Sequence, residues 1–461
     1  MDQPKPRRPW WRRRLPGGLS FAGPARQADA AEFLADTTWV DASGIRHVDQ
    51  RIFDAVFDMI RSARRLVLLD MFLYNDFQGS MPERTRLVSG ELTDALISRR
   101  QEVGDLRVVV ITDPINIVYG SVVSRQFERL RAAGIEVVIT DLTRLADSNI
   151  PYSPLWRIVA RPFGTGPGRA LRNPFDARGR VSLRSYLYGL NFKANHRKLV
   201  VADAGDDWVG LVTSANPHDA SSAHHNVAVR FRGPAVADLL ETENAVLRFS
   251  GSAGVDLSMQ FRDRQAAARV AVLTERAIKD AALELIDTAG PGERIDLATF
   301  YLSDRNVIES IKRASRRGAA LRILLDPSKD AFGYEKNGIP NQPVAAELHR
   351  VGIPLRWAHT HGEQCHVKML IRTDGSGDGA LLLGSANLTR RNLDDFNLET
   401  NVLVRVPPDH ACLRDACRHF DSLWNNEPGR LFSVDYAHYR DESLIKRWKY
   451  RWMEASGMST F

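Results

Sequence analysis

The sequence predicts an α/β protein made of two similar halves. Three observations carry this expectation. Helical periodicity alternates with short β-branched runs, the order of these segments repeats once at long range, and one polar motif recurs at the same point of each repeat.

The first half opens with a helix-like stretch, RIFDAVFDMIRSARR (51–65), before the apolar run LVLLDMFLY (66–74). A strand-like LRVVVITD (106–113), a helix and strand in FERLRAAGIEVVITD (127–141) and NHRKLVVAD (195–203) follow. The second half gives ERAIKDAALELIDTA (275–289), IDLATFYLSD (295–304), LRILLDP (321–327), AAELHRVGIPLRW (345–357) and CHVKMLIRTD (365–374) in the same order. Gly134 and Gly352 sit at the same place in each series, where a glycine ends a helix before a strand. The domains expected are 45–255 and 256–435, joined through the polar stretch 251–270 and flanked by tails 1–44 and 436–461. The first half also holds an insertion, 142–190, with no counterpart in the second. Its aromatics, arginines and the flexible GTGPG (164–168) suit a lid or substrate-facing loop.

Composition narrows the function. The chain has 461 residues, 44% hydrophobic and 26% charged, which fits a soluble protein with more than one core. Cys365, Cys412 and Cys417 show no disulfide spacing, so a reducing, cytoplasmic setting is expected. No apolar run is long enough to span a bilayer, and the basic, proline-broken N-terminus does not read as a secretory signal. The net charge is +7, with +5 in residues 1–18 and +2 in residues 436–461, so the body is formally neutral. A nucleic-acid enzyme would carry its surplus along the body, and no nucleic-acid partner is expected.

The chemistry rests on His196-Arg197-Lys198 with Asp203, then Thr213-Ser214-Ala215-Asn216, and on His366-Val367-Lys368, then Gly384-Ser385-Ala386-Asn387-Leu388-Thr389. Strand alternation puts each His and Lys on one face. Two such sets around one space suit phosphodiester chemistry. One imidazole attacks phosphorus, the other protonates the leaving alcohol, and Lys198, Lys368, Asn216 and Asn387 hold the charged oxygens.

With these motifs the chain resembles the phospholipase D superfamily, whose signature is His-x-Lys-x4-Asp followed by Gly-Ser-x-Asn. The resemblance covers about residues 45–430. It implies two phospholipase D-like α/β sandwich domains related by a pseudo-twofold repeat, one active site at their interface, a phosphohistidine intermediate, and no metal or other cofactor. The Gly-Ser-Ala-Asn-Leu-Thr stretch and Asn397-Leu398-Glu399-Thr400-Asn401 look like bacterial cardiolipin synthases and related phosphatidyltransferases. Ser214 and Ser385 are expected to contact substrate, and Asp203 and Asp374 to be structural. Three positions depart from the pattern. Thr373 stands where the second motif has Asp, with Asp374 next. Thr213 replaces Gly. Aligning HHNVAVRF with ETNVLVRV puts His224 opposite Glu399, so the acid is missing from the first half, with His224 or Asp219 as candidate replacements. In the family this acid orients the opposite histidine. Glu399 would then support His196 as nucleophile, leaving His366 as general acid.

Blander readings stand beside these. His359, His361, Cys365 and His366 lack the paired second half of a zinc site. His218, His224 and His225 fit solvated loops as well as a site. In the tails, Trp10 and Trp11 sit between arginines, and Leu444, Ile445, Trp448 and Trp452 fall at helical spacing among cations, a pattern for peripheral contact with an anionic membrane on its inner face. The expected substrate is a phospholipid. The rival readings are a phosphodiesterase of the same superfamily acting on DNA or RNA, and a catalytically silent scaffold on a membrane.

Overall fold

The computed structural model describes Leu15 and residues 17–80, 86–261, 266–331, 334–374 and 379–459. Two large sheets carry the fold. In the first, Leu66–Met71, Arg107–Thr112 and Glu136–Ile139 run parallel. Lys198–Ala204 lies antiparallel beside Leu66–Met71, and Asp207–Thr213, Asn226–Arg232, Ala30–Val40 and Arg46–Asp49 follow outward, each antiparallel to the last. The second sheet repeats this order. Arg294–Thr299, Ala320–Leu325 and Leu355–Ala358 are parallel, and Lys368–Thr373, Gly379–Gly384, Thr400–Val406 and Ala268–Thr274 follow antiparallel. The elements expected from periodicity are therefore present in both halves, and Gly134 (φ 76°) and Gly352 (φ 78°) take the left-handed conformation their helix ends require.

The strands are apolar on both faces because both faces are covered. Leu66 and Leu68 face the other sheet, while Val67 and Leu69 face the helices Ile52–Ser62, Val88–Glu102 and Arg125–Ala132. In the second half Met369 and Ile371 face inward, while Leu370 faces a core shared with the helices Arg276–Asp287, Arg305–Arg316 and Asn341–His349. The two inner faces share one core, in which Val201 and Val229 join Val367 and Leu383. The result is four layers, helix, sheet, sheet, helix.

Both chain ends differ from the expected tails. Ala30–Val40 belongs to the first sheet, and Arg26–Ala28 crosses to pair with Ala268–Thr274 of the second. The first half thus begins near residue 30, not 45. The alternation is faint in AAEFLADTTWV because its buried positions are Ala31, Phe33, Asp36 and Thr38 rather than a β-branched run. Trp10, Trp11 and the other residues of 1–14 lie outside the described residues. At the other end, Ser433–Asp435 extends the second sheet beside Leu355–Ala358. The helix Leu444–Ser456 is docked on the body. The buried Tyr450 hydroxyl donates to the Ser303 carbonyl (2.9 Å), and Glu454 accepts from Ser303 Oγ (3.0 Å). Among the described residues no helix is long and apolar enough to cross a membrane. The insertion holds the helices Ser153–Val159 and Leu183–Gly189 and a small ladder of Leu171–Arg172 with Arg180–Val181.

A chain starting at residue 45 lacks an inner strand that pairs along Ala30–Asp36, and we expect it to lose cooperative unfolding. A chain starting at Leu15 should keep the wild-type urea midpoint. Circular dichroism through a urea titration separates the two.

Candidate active site

Each motif is set at the same point of its half. His196 precedes the strand Lys198–Ala204, and His366 precedes Lys368–Thr373. The residue before each histidine is held by an aspartate at the end of a parallel strand. Asp113 Oδ2 accepts the Asn195 N–H (2.7 Å), and Asp326 Oδ2 accepts the Cys365 N–H (2.8 Å). The halves then interlock through backbone bridges, Asn195 with Leu398 and Cys365 with His225. The His196 N–H donates to the Leu398 carbonyl (2.8 Å), and the His225 N–H to the Gln364 carbonyl (3.0 Å). This crossing brings both imidazoles into the wall of one cavity of about 500 Å³, with Asn216 and Asn387 beside them.

Each ring is pinned from behind by the opposite half. His196 Nδ1 lies 3.0 Å from the Glu399 carboxylate, so Nδ1 carries the proton and Nε2 is left with its lone pair. Ser385 Oγ and Asn392 Nδ2 also donate to Glu399. His366 Nδ1 lies 3.2 Å from Asn226 Oδ1, which also accepts from Ser214 Oγ (3.0 Å). Register makes the equivalence plain. The Ser385 N–H donates to Thr400 and the Ser214 N–H to Val227, so the residue before each, Glu399 and Asn226, occupies the same place. Asn226, not His224, stands opposite Glu399. The expected alignment is off by two residues because the loop after Ser214 is two residues shorter than that after Ser385.

Lys198 Nζ donates to the His196 carbonyl (2.7 Å) and Lys368 Nζ to the His366 carbonyl (2.8 Å). Each ammonium lies over an aromatic ring that also touches its histidine. Lys198 is 4.9 Å from the Phe72 centroid and Lys368 5.1 Å from that of Phe300, and the same rings lie 4.6 Å from His196 and 5.1 Å from His366. Phe72 and Phe300 follow equivalent strands, so the twofold repeat extends to the floor of the site.

Residues 282–424 match the family model described as cardiolipin synthase, PLD-like domain. These residues carry a phospholipase D-like domain. No curated protein matches it. A crystal structure of phosphatidylserine synthase from Haemophilus influenzae Rd KW20 is similar in fold, with a TM-score of 0.59 at 11% identity over 94% of this chain and 96% of that one. A phospholipase D family member from Salmonella typhimurium aligns with 37% of this chain and 99% of its own, at 20% identity and a TM-score of 0.28.

Several expected site residues of this phospholipase D-like protein take other roles. Ser214 and Ser385 are fully buried and do not line the cavity. Their hydroxyls bind Asn226 and Glu399, so they position the groups behind the histidines rather than the substrate. Asp203 accepts the backbone N–H groups of Arg64, Arg65 and Leu66 at 2.8–3.1 Å and ties the motif strand to the turn before Leu66–Met71. Asp374 follows the end of Lys368–Thr373 and is half-buried. Asp219 accepts the Ser89 N–H (2.9 Å) at the start of a helix and does not line the cavity. His224 does line it, 6.1 Å from His366 ring to ring. His218 and His225 are buried, not solvated. Among the described residues no three or more His, Cys, Asp or Glu side chains form a metal-like cluster; His359 and His361 pair with each other.

Other functional positions escaped the sequence reading. Asp113 and Asp326 were visible as the Asp-Pro that closes LRVVVITDP and LRILLDP. Arg197, between His196 and Lys198, is buried against Glu243 and Glu275, each at 2.7 Å. Arg391 and Lys336 line the cavity with no carboxylate within ion-pair distance among the described residues. Burial pulls the Arg391 guanidinium down to about 10, and it lies 5.0 Å from the Phe192 ring.

Burial sets the protonation of the site. It pushes His196 down to about 4, Lys198 and Lys368 push the same way, and Glu399 opposes them. His366, with an amide behind it in place of a carboxylate, is held well below the usual histidine range by burial and the same two lysines. Burial takes Lys198 to about 7, against the pull of Glu399, Asp70 and Asp113, and burial and Lys198 hold Lys368 well below the usual lysine range. Burial raises the Glu399 carboxyl, but His196, Lys198 and Ser385 more than offset it and hold it low. Burial thus disfavours the charged forms of both histidines and both lysines.

An entering anion raises the pKa of these basic groups, so binding takes up protons. Sulfate, which does not titrate near neutrality, should bind at pH 8 with uptake of roughly one proton. Calorimetry in buffers of different ionisation enthalpy reads this directly, and Lys198→Met should reduce it.

Proposed function

We propose that the chain transfers or hydrolyses the phosphodiester of a phospholipid through a phosphohistidine on His196. The observation that carries this reading is the pair of imidazoles pinned through Nδ1, one by a carboxylate and the other by an amide, in a single cavity. In the first step His196 Nε2 attacks phosphorus. The P–N bond forms, the P–O bond to the headgroup breaks, and the leaving oxygen takes a proton from His366. The phosphorylated ring is cationic, and Glu399 stabilises it through the Nδ1 hydrogen bond. In the second step an alcohol or water gives its proton to His366 and attacks phosphorus, and the P–N bond breaks. Lys198 and Lys368 balance the charge on the non-bridging oxygens as it shifts.

The cavity wall supports a lipid substrate. Phe72, Ile115, Val118, Phe175 and Leu190 give it an apolar side suited to acyl or glycerol carbons. Its polar side, with Asn216, Asn387, Asn392, Arg391 and Lys336, suits the phosphate and headgroup of the same substrate. The family likeness to cardiolipin synthases supports transfer to a second alcohol, and a silent scaffold would have no use for complete His, Lys and Asn sets in both halves.

His196→Ala and His366→Ala should each lower turnover of phosphatidylglycerol or phosphatidylcholine by at least about 1,000-fold with the fold intact, and the double variant should lose little more. Near-normal turnover by either single variant rejects the mechanism. Acid-labile phosphate mapped to His366 in the wild-type enzyme would reverse the two roles.

The amide at Asn226 gives a sharper test. Asn226→Asp places a carboxylate behind His366 and favours its cation, so its pKa rises. The alkaline limb of kcat/KM, which marks loss of the general acid's proton, should then move to higher pH. An unmoved limb would deny His366 that role.

A further inference from the structure

The formal neutrality of the body conceals an uneven distribution. Residues 151–190 hold seven arginines against one acid, Asp176, a net of +6, so the rest of the body carries −6. Arg157 pairs with Asp147 and Arg178 with Asp176. Arg161, Arg169, Arg172, Arg180 and Arg184 are exposed, with no carboxylate in ion-pair range among the described residues. The same segment turns apolar side chains outward. On Ser153–Val159, Trp156 is buried against Tyr188, while Leu155 is 60% exposed and Ile158 78%; Phe163 just beyond is 70% exposed. A soluble surface rarely combines bare aliphatics and unpaired arginines in this way.

The C-terminal helix has the same character. Tyr450 and Glu454 anchor one face, and the other exposes Leu444, Ile445 (80%), Trp448 (69%) and Trp452. Arg447 and Lys449, between them, have no carboxylate in ion-pair range among the described residues. The two elements meet. Gly457, which ends the helix at φ 75°, packs so closely on the Ser148 carbonyl that a β carbon there would lie 1.9 Å from it. Both also reach the cavity. Tyr186 of the insertion lines it, and Ser459 beyond the helix accepts from Arg391 in its wall (3.3 Å).

We propose that the arginine-rich insertion and the C-terminal helix form one docking surface for an anionic lipid bilayer, which sets the cavity mouth against the membrane. Guanidinium groups meet the headgroups, while indole and aliphatic side chains enter the boundary with the acyl region. Substrate passes from the bilayer into the cavity without crossing water. The inference rests on the reading of the substrate as a phospholipid. Exposed aliphatics among the arginines favour lipid over nucleic acid, whose phosphates would reward the cations alone.

Three variants of the full chain test it: Ile158→Ser with Phe163→Ser, Trp448→Ala with Trp452→Ala, and Arg161→Glu with Arg172→Glu. Each is measured by flotation with phosphatidylglycerol–phosphatidylcholine vesicles, by binding to single-stranded DNA, and by turnover of a soluble short-chain phosphodiester. Wild type should float with anionic vesicles and only weakly with pure phosphatidylcholine. Each variant should lose about tenfold or more in flotation while keeping soluble turnover within about twofold. High salt should abolish the residual binding of the tryptophan variant but only weaken that of wild type. Wild-type flotation by all three variants, also in a chain with Arg12, Arg13 and Arg14 changed to Gln, would overturn the proposal. So would tighter binding to single-stranded DNA than to vesicles, lost in the arginine variant. Vesicle binding that depends on these residues, in a protein that turns over no phosphodiester, would uphold the docking surface and refute the catalytic reading.

Discussion

The guanidinium of Arg197 sits with no solvent exposure between Glu243, from the helix closing the first half, and Glu275, from the turn that opens the second. Glu275 Oε1 also accepts the Glu399 backbone N–H (3.0 Å), and its other oxygen accepts the Ser20 N–H (2.7 Å). One buried charge therefore joins both halves, the N-terminal segment and the backbone of Glu399, the residue behind His196. Breaking such a pair from one side costs about 3–5 kcal/mol, because the remaining carboxylates stay buried. Its neighbours in sequence are His196 and Lys198. Strand alternation sends those two to one side and Arg197 to the opposite side, so one three-residue stretch both joins the halves and places His196 in the cavity wall. Glu399, 3.0 Å from His196, thus has its backbone tied to this clamp through Glu275.

The pseudo-twofold repeat supplies two of nearly everything: aspartates behind the motif, aromatic floors, lysines on their own histidine carbonyls, serines behind the rings. Behind the rings it is broken at the acceptor of the Nδ1 hydrogen bond. An amide in place of a carboxylate at Asn226 leaves the fold undisturbed, since Ser214 bonds the amide oxygen as Ser385 bonds the carboxylate. Electrostatically the two places differ by a full charge. The two rings are therefore held differently, His196 against a carboxylate and His366 against an amide.

Much of this was legible in the sequence because it follows from local rules. Apolar strands covered on both sides, helix-ending glycines and the recurrence of His-x-Lys with Ser-Ala-Asn are patterns within a few residues of one another. What was not legible depends on register across space. Asn226 shares its sequence surroundings with His224 and His225, and only the ladder between the strands 207–213 and 226–232 decides which stands behind His366. Ser214 and Ser385 lie in the motif and so looked like substrate ligands, yet the turn points them away from the cavity. Ala30–Val40 was hidden because its inward positions hold Asp36 and Thr38. Asp36 is used there, accepting the N–H groups of Arg51 and Ile52 at the start of a helix, and such pairing is invisible before the chain is folded.

Two histidines and two lysines are buried near one carboxylate that is held in its ionised form, which no stable core would choose. The apolar core between the sheets and the clamp at Arg197 hold this arrangement in place. Burial lessens the conflict by holding Lys198 and both histidines below their ordinary pKa values. An anion entering the cavity would raise those values again and favour the cationic forms. The burial that disfavours charge in the protein alone is therefore what makes the site receptive to a negative group.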